Sequence, residues 1–163
     1  MPADDAPVYS AVFWTAYVAN VAVVTANALT FRFAELIDFL GGKEQTAGLI
    51  IGLATATALL SRIYLGQAID RYGVRRLWVV SSILFVAGGA MLTAAGSISL
   101  LLCIARSLFA VGLAGMFTCS TVHIQGLVPP HRRTEVIGSL GSSGFVGMIL
   151  GALLGDAIFL GLG

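Results

Sequence analysis

The sequence predicts an all-α membrane protein with five transmembrane helices, and three observations carry that expectation. The 163 residues are 58% hydrophobic and only 10% charged, with a mean hydropathy of +0.95. A soluble domain of this size carries about 25% charged residues, so this chain could not cover its own surface in water. The charges are gathered into short segments, separated by apolar runs of the ~20 residues needed to cross ~30 Å of hydrocarbon. Turn residues fall where an apolar run is too long for one crossing.

The first span runs from about residue 8 to 31. The preceding "MPADDAPVYS" has two aspartates and no Lys or Arg, and nothing charged follows until Arg32. It therefore lacks the basic start of a signal peptide, and the run is too long for a signal core. This helix is expected to remain in the mature protein. "FRFAELIDFLGG" then holds Glu35 and Asp38 and reads as an amphipathic extension of the same helix. The second span covers about 46–65.

Between Leu77 and Val128 lie 52 residues whose only formal charge is Arg106. One helix of that length would reach ~78 Å, so the run must fold back. "AAGSIS", Ala94 to Ser99, is its only stretch with turn chemistry. The third span is therefore about 77–95 and the fourth about 98–128, stopped by Pro129–Pro130. The fifth covers about 136–162.

Orientation follows from Lys and Arg in the short loops. Arg71, Arg75, Arg76, Arg132 and Arg133 lie on one side, Arg32 and Lys43 on the other. That places the N-terminus and the loops after spans two and four in the cytoplasm, and the protein in a cytoplasmic (inner or plasma) membrane.

Several function classes drop out. A net charge of +1 leaves no electrostatic footprint for nucleic acid. No Ser/His or Asp/Asp pair stands at catalytic spacing within the spans, and no metal-ligand cluster or cofactor motif is present, so an enzyme is not expected. Cys103 and Cys119 are too far apart on one helix to pair and read as small buried hydrophobes.

The segment "LGQAIDRYGVRR" carries four charges between two apolar runs. On composition alone it is a positive-inside anchor, a cytoplasmic turn of about eleven residues. Its spacing says more. Gly66, Asp70, Arg71, Gly73 and the pair Arg75–Arg76 resemble the signature Gly-x-Leu-Ala-Asp-Arg-x-Gly-Arg-Arg of the major facilitator superfamily, which falls between that family's second and third helices. Ala68 stands where Leu is usual, and Val74 takes the first basic position. The resemblance implies a latch that joins two halves of the protein on the cytoplasmic face and favours the outward-open state. Gly66 would admit a neighbouring helix, and Asp70 would accept from a helix N-terminus or an arginine.

Two further stretches resemble the same family. In the fifth span Gly138, Gly147, Gly151 and Gly155, with Ala152 where Pro is usual and Asp156 where Gly is, follow the helix-five pattern Gly-x8-Gly-x3-Gly-Pro-x2-Gly-Gly of the family's antiporters. This mildly favours efflux by antiport, with small-residue helix packing as the alternative reading. "PPHRRTEVIG" is similar to the family's Pro-x-x-Arg-Arg connection before that helix, where Arg132 and Arg133 mark topology.

Arg106, followed by Gly112 and Gly115, sits inside the fourth span. An intramembrane Arg costs at least ~2.5 kcal/mol by insertion scales and is a functional candidate by default; the alternative is a residue that snorkels to the interface. The family's fourth helix typically carries an Arg followed by glycines that line the central cavity. Tyr17, Asn20 and Asn27 share one face of the first helix, which in this family also lines the cavity. They are candidate substrate contacts, with interhelical hydrogen bonding as the alternative. Proton coupling has no mid-membrane acid in the first four spans, and Asp156 is the residue to test.

The family fold has two six-helix halves, so five spans are expected to form an incomplete N-terminal half over residues 1–163. The expected partners are the lipid bilayer, a small-molecule substrate of unspecified identity, and the missing C-terminal half or another copy. The competing expectation is a small polytopic subunit or assembly partner with no transport cycle of its own.

Overall fold

The computed structural model describes residues 9–162. The expected start of the first span at Val8 and the acidic pair Asp4–Asp5 lie outside them. All regular elements among the described residues are helical: α1 (Ala11–Ala28), α2 (Phe33–Phe39), α3 (Glu44–Tyr72), α4 (Val74–Thr93), α5 (Leu100–Gln125) and α6 (Arg133–Leu162), with short 3-10 turns at Leu29–Arg32 and Pro130–Arg132. Among the described residues, five segments are long and apolar enough to cross a membrane.

Local chemistry explains the helix ends. Ser10 caps α1, its Oγ accepting from the Phe13 N–H at 3.4 Å. The segment expected as an extension of the first helix continues it without a break, through the 3-10 turn into α2, so that Ala11–Phe39 reads as one span. It closes in a Schellman motif: Gly41 takes φ +80°, its N–H donates to Asp38 O at 2.8 Å, and the Gly42 N–H donates to Ile37 O at 2.8 Å. The expected turn over Ala94–Ser99 is present, and the 3-10 turn at Pro130 follows the end of α5.

One boundary differs most. The expected eleven-residue turn after the second span is helical as far as Tyr72, and α4 begins at Val74, leaving Gly73 as the whole connection. At 29 residues α3 is roughly 43 Å long, more than the hydrocarbon requires. Its charged last turns are helical like the rest. Gly73 makes the reversal at φ +84°, a conformation that L side chains rarely adopt.

The chain forms two compact units. Among the described residues the first comprises 9–31 and 120–162, the second 32–119. In the first, α1 and α6 lie side by side and parallel. Phe13 and Ala16 pack with Ile124, Val136 and Leu140. In the second, Phe33 and Ile37 of α2 share a core with Ala47, Ile50, Leu92, Leu102, Ala105 and Phe109. There α4 and the facing part of α5 run antiparallel.

Candidate functional site

The segment 66–76 places Asp70 and Arg71 on the last turn of α3, and Arg75 and Arg76 on the first turn of α4, with Gly73 between them. All four charges are exposed. Among the described residues they form no ion pair with one another; the Arg71 guanidinium lies 5.4 Å from the centroid of its neighbour Tyr72. Helix dipoles do not explain the placement. A C-terminal helix end disfavours Asp70, and an N-terminal end disfavours Arg75 and Arg76, each by about 0.3–1 kcal/mol. A positive-inside preference accounts for the arginines but not for the acid. A Cβ at Gly66 would meet nothing within 4 Å among the described residues, so the helix approach expected there is not made by them.

The glycines further on behave differently. A Cβ at Gly112 would collide with the backbone of Phe85 and lie 2.7 Å from Ser81 O, and one at Gly88 would lie 2.8 Å from both Ala105 O and Phe109 Cα. Gly115 closes on the Ser81 side chain. These residues let α4 and α5 touch backbone to backbone, and the Phe85 and Phe109 rings stack beside them at 4.4 Å.

The glycines of α6 divide. Gly147 and Gly151 are packed against α1, where a Cβ would lie 2.8 Å from Val21 O and 2.6 Å from Thr25 O respectively. Gly155 has only Leu29 at 3.9 Å, and Gly138 meets nothing within 4 Å. Thr25 adds a polar link at this seam: its Oγ1 donates to Val21 O at 2.8 Å and also lies 3.3 Å from Gly147 O. Nothing interrupts α6 at Ala152, in keeping with the absence of Pro there. Asp156 is exposed.

Arg106 is half-buried in α5, with its guanidinium 5.0 Å from the Phe33 ring centroid and 5.6 Å from that of Phe109. The cation thus bears on the first residue of α2. Cation–π contacts range from about 0.5 kcal/mol when exposed to 2 or more when desolvated. Arg106→Leu is expected to loosen α2, raising amide exchange across 33–39, while Arg106→Lys keeps most of the protection. Unchanged exchange in Arg106→Leu would remove this role.

On α1, Tyr17 is half-buried with its hydroxyl 3.0 Å from Ser142 Oγ, Asn27 is half-buried, and Asn20 is 4% exposed. Near the start of this helix the Tyr9 hydroxyl donates to Glu135 Oε1 at 3.0 Å. That carboxylate also takes a two-pronged contact from Arg132, both distances 3.1 Å. These links tie the residue just before the N-cap of α1 to the first turns of α6. Tyr9, Glu135, Ser142, Ser81 and Phe33 are not among the residues that the sequence singles out. The seven-residue spacing of Ser81 and Gly88, a small-residue stripe on one helix face, is the one available signal among them.

The Major Facilitator Superfamily profile matches residues 8–163. The chain belongs to the major facilitator superfamily. Two relatives from Bacillus subtilis (strain 168) agree with that assignment. It is 30% identical over 106 residues to a protein named "Uncharacterized MFS-type transporter YfiU", covering 65% of this chain and 20% of the relative. It is 36% identical over 104 residues to "Uncharacterized MFS-type transporter YuxJ", covering 61% and 25%. The matches thus span a fifth to a quarter of the relatives' lengths. No solved structure matches. As a member of this superfamily the chain is an integral membrane protein of a transporter family, not of an enzyme family.

Proposed function

We propose that this chain contributes to secondary-active transport of a small solute by alternating access, with 66–76 as one side of a conformational latch. The observation that carries the reading is Asp70. It is an exposed carboxylate at the unfavourable end of a helix, with no ion pair among the described residues, in a segment that resembles the superfamily signature. Such an acid is suited to a donor outside the residues described, on a second set of helices supplied by further chain or by another copy. We place the latch in the cytoplasm, with the N-terminus on the same side and the protein in the cytoplasmic membrane, from the Lys/Arg balance of the loops. Of the four expected substrate contacts, Tyr17, Asn27 and Arg106 are the ones proposed; Asn20, at 4% exposure, is left out as sealed from a solute. The direction we assign is outward, on the α6 glycine run; expression should then lower cellular accumulation of the solute, whereas uptake would raise it.

The latch is tested without knowing the solute. In the intact protein, with Cys103 and Cys119 replaced, an Asn27→Cys reporter is labelled by an impermeant maleimide from the cytoplasmic side. Hydrogen bonds to charged groups contribute about 1.5–3 kcal/mol, so Asp70→Asn should speed labelling roughly tenfold or more. Equal rates in the two proteins would sink the latch.

A further inference from the structure

In the first unit, the apolar cluster of Phe13, Ala16, Ile124, Val136 and Leu140 gives way one turn along to polar residues on all three helices. Asn20 follows Ala16 by four positions, Ser120 precedes Ile124 by four, and Ser143 follows Leu140 by three. Ile124 and Val136 pack together on either side of the 126–132 turn, so α5 folds back against α6 and these three steps lead in the same direction. The register between α1 and α6 is bracketed on both sides, by Tyr17 against Ser142 at 3.0 Å and by Val24 beside Gly147. Asn20 and Ser143 therefore stand at one level.

All three side chains are sealed in: Asn20 is 4% exposed, Ser120 and Ser143 0%. Asn20 Nδ2 and Ser120 Oγ have no hydrogen-bond partner among the described residues. The Ser143 hydroxyl donates to Leu140 O at 2.5 Å, which leaves its oxygen able to accept. Several hydroxyls of these helices donate to their own backbone, as Ser107 does to Cys103 O at 2.9 Å and Thr118 to Ala114 O at 2.9 Å. Ser120 does not, so its orphaned oxygen is a feature of this level and not of serine in a helix.

Buried amides and hydroxyls left unpaired are costly, and such groups at one level without direct bonds are the setting for a bridging water. We propose that Asn20, Ser120 and Ser143 enclose a binding site for one water molecule. The Asn20 amide donates to it, Ser120 exchanges a hydrogen bond with it, and Ser143 accepts from it. That gives the two to four partners an internal water needs. The site pins α1, α5 and α6 at one depth, and it is separate from the proposed latch.

The test is water-edited solid-state NMR on the intact protein in lipid nanodiscs, with the Asn side-chain 15N labelled and the Asn20 signal assigned by its loss in Asn20→Leu. Magnetisation should pass from water to Asn20 Nδ2, survive a soluble paramagnetic chelate, and disappear in Ser120→Val. If Ser120→Val fails to insert, the Ser120→Ala/Ser143→Ala pair serves, with the same loss expected. No transfer in the unsubstituted protein would overturn the site as dry. Transfer quenched by the chelate would overturn it as an open aqueous path. Transfer that persists after substitution would overturn the assignment of the serines.

Discussion

Gly112→Val should leave little folded protein. The α4 backbone lies where the new side chain would begin, at Phe85 and Ser81 O, and backbone cannot swing aside as a flexible side chain can. Even Gly112→Ala forces the two helices apart, and overpacking of this kind costs about 1–3 kcal/mol. Valine adds two more methyl groups to the same clash. Parting α4 from α5 also undoes the Phe85–Phe109 stack. Gly52 provides the control, because a Cβ there meets nothing within 4 Å. Gly52→Ala should be neutral or stabilising by up to about 1 kcal/mol, since Ala is the better helix former. The measurement is the fraction of tagged protein that stays monodisperse after heating in mild detergent. Equal curves for Gly112→Val and Gly52→Ala would show that the helices do not meet as described.

Gly151→Val should separate α6 from α1 to a similar extent, because Ala28 Cβ and Thr25 O occupy the space. This substitution also distinguishes two roles for the α6 glycines. If the run serves only helix packing, the damage should follow burial: severe at Gly147 and Gly151, slight at Gly155 and Gly138. If it serves a moving part of transport, Gly138→Ala and Gly155→Ala should lower transport while leaving thermal survival intact. Survival and transport measured on the same four variants give the answer. Loss of stability at Gly138, where no neighbour stands within 4 Å, would contradict the structure itself.

The five candidate spans among the described residues are legible because bilayer thickness imposes a length on apolar runs, and a run of 52 residues can fold back only at its one polar stretch. Helix ends are less so. Charge marks where a helix leaves hydrocarbon, not where it stops, and so "AIDRY" reads as loop although it is the end of α3. Which glycine meets which helix is also hidden. Gly66 and Gly138 look like Gly112 and Gly151 in sequence, and only the arrangement of helices tells open space from contact. The Tyr17–Asn20–Asn27 stripe is visible as a shared face, but periodicity cannot say whether a face lines a cavity or an enclosed seam. Ser143 carries no signal of its own within "GSSGFVG".

The single-residue connection at Gly73 has a kinematic consequence. Two residues of extended chain reach about 7 Å, so Tyr72 and Val74 cannot part further than that, whatever the rest of the protein does. A piston stroke of α3 is therefore handed to the start of α4 with almost no slack, and Asp70, Arg71, Arg75 and Arg76 stay close together throughout it. Residues inserted beside Gly73 would act as a slipped clutch, leaving every charge present and the motion undelivered.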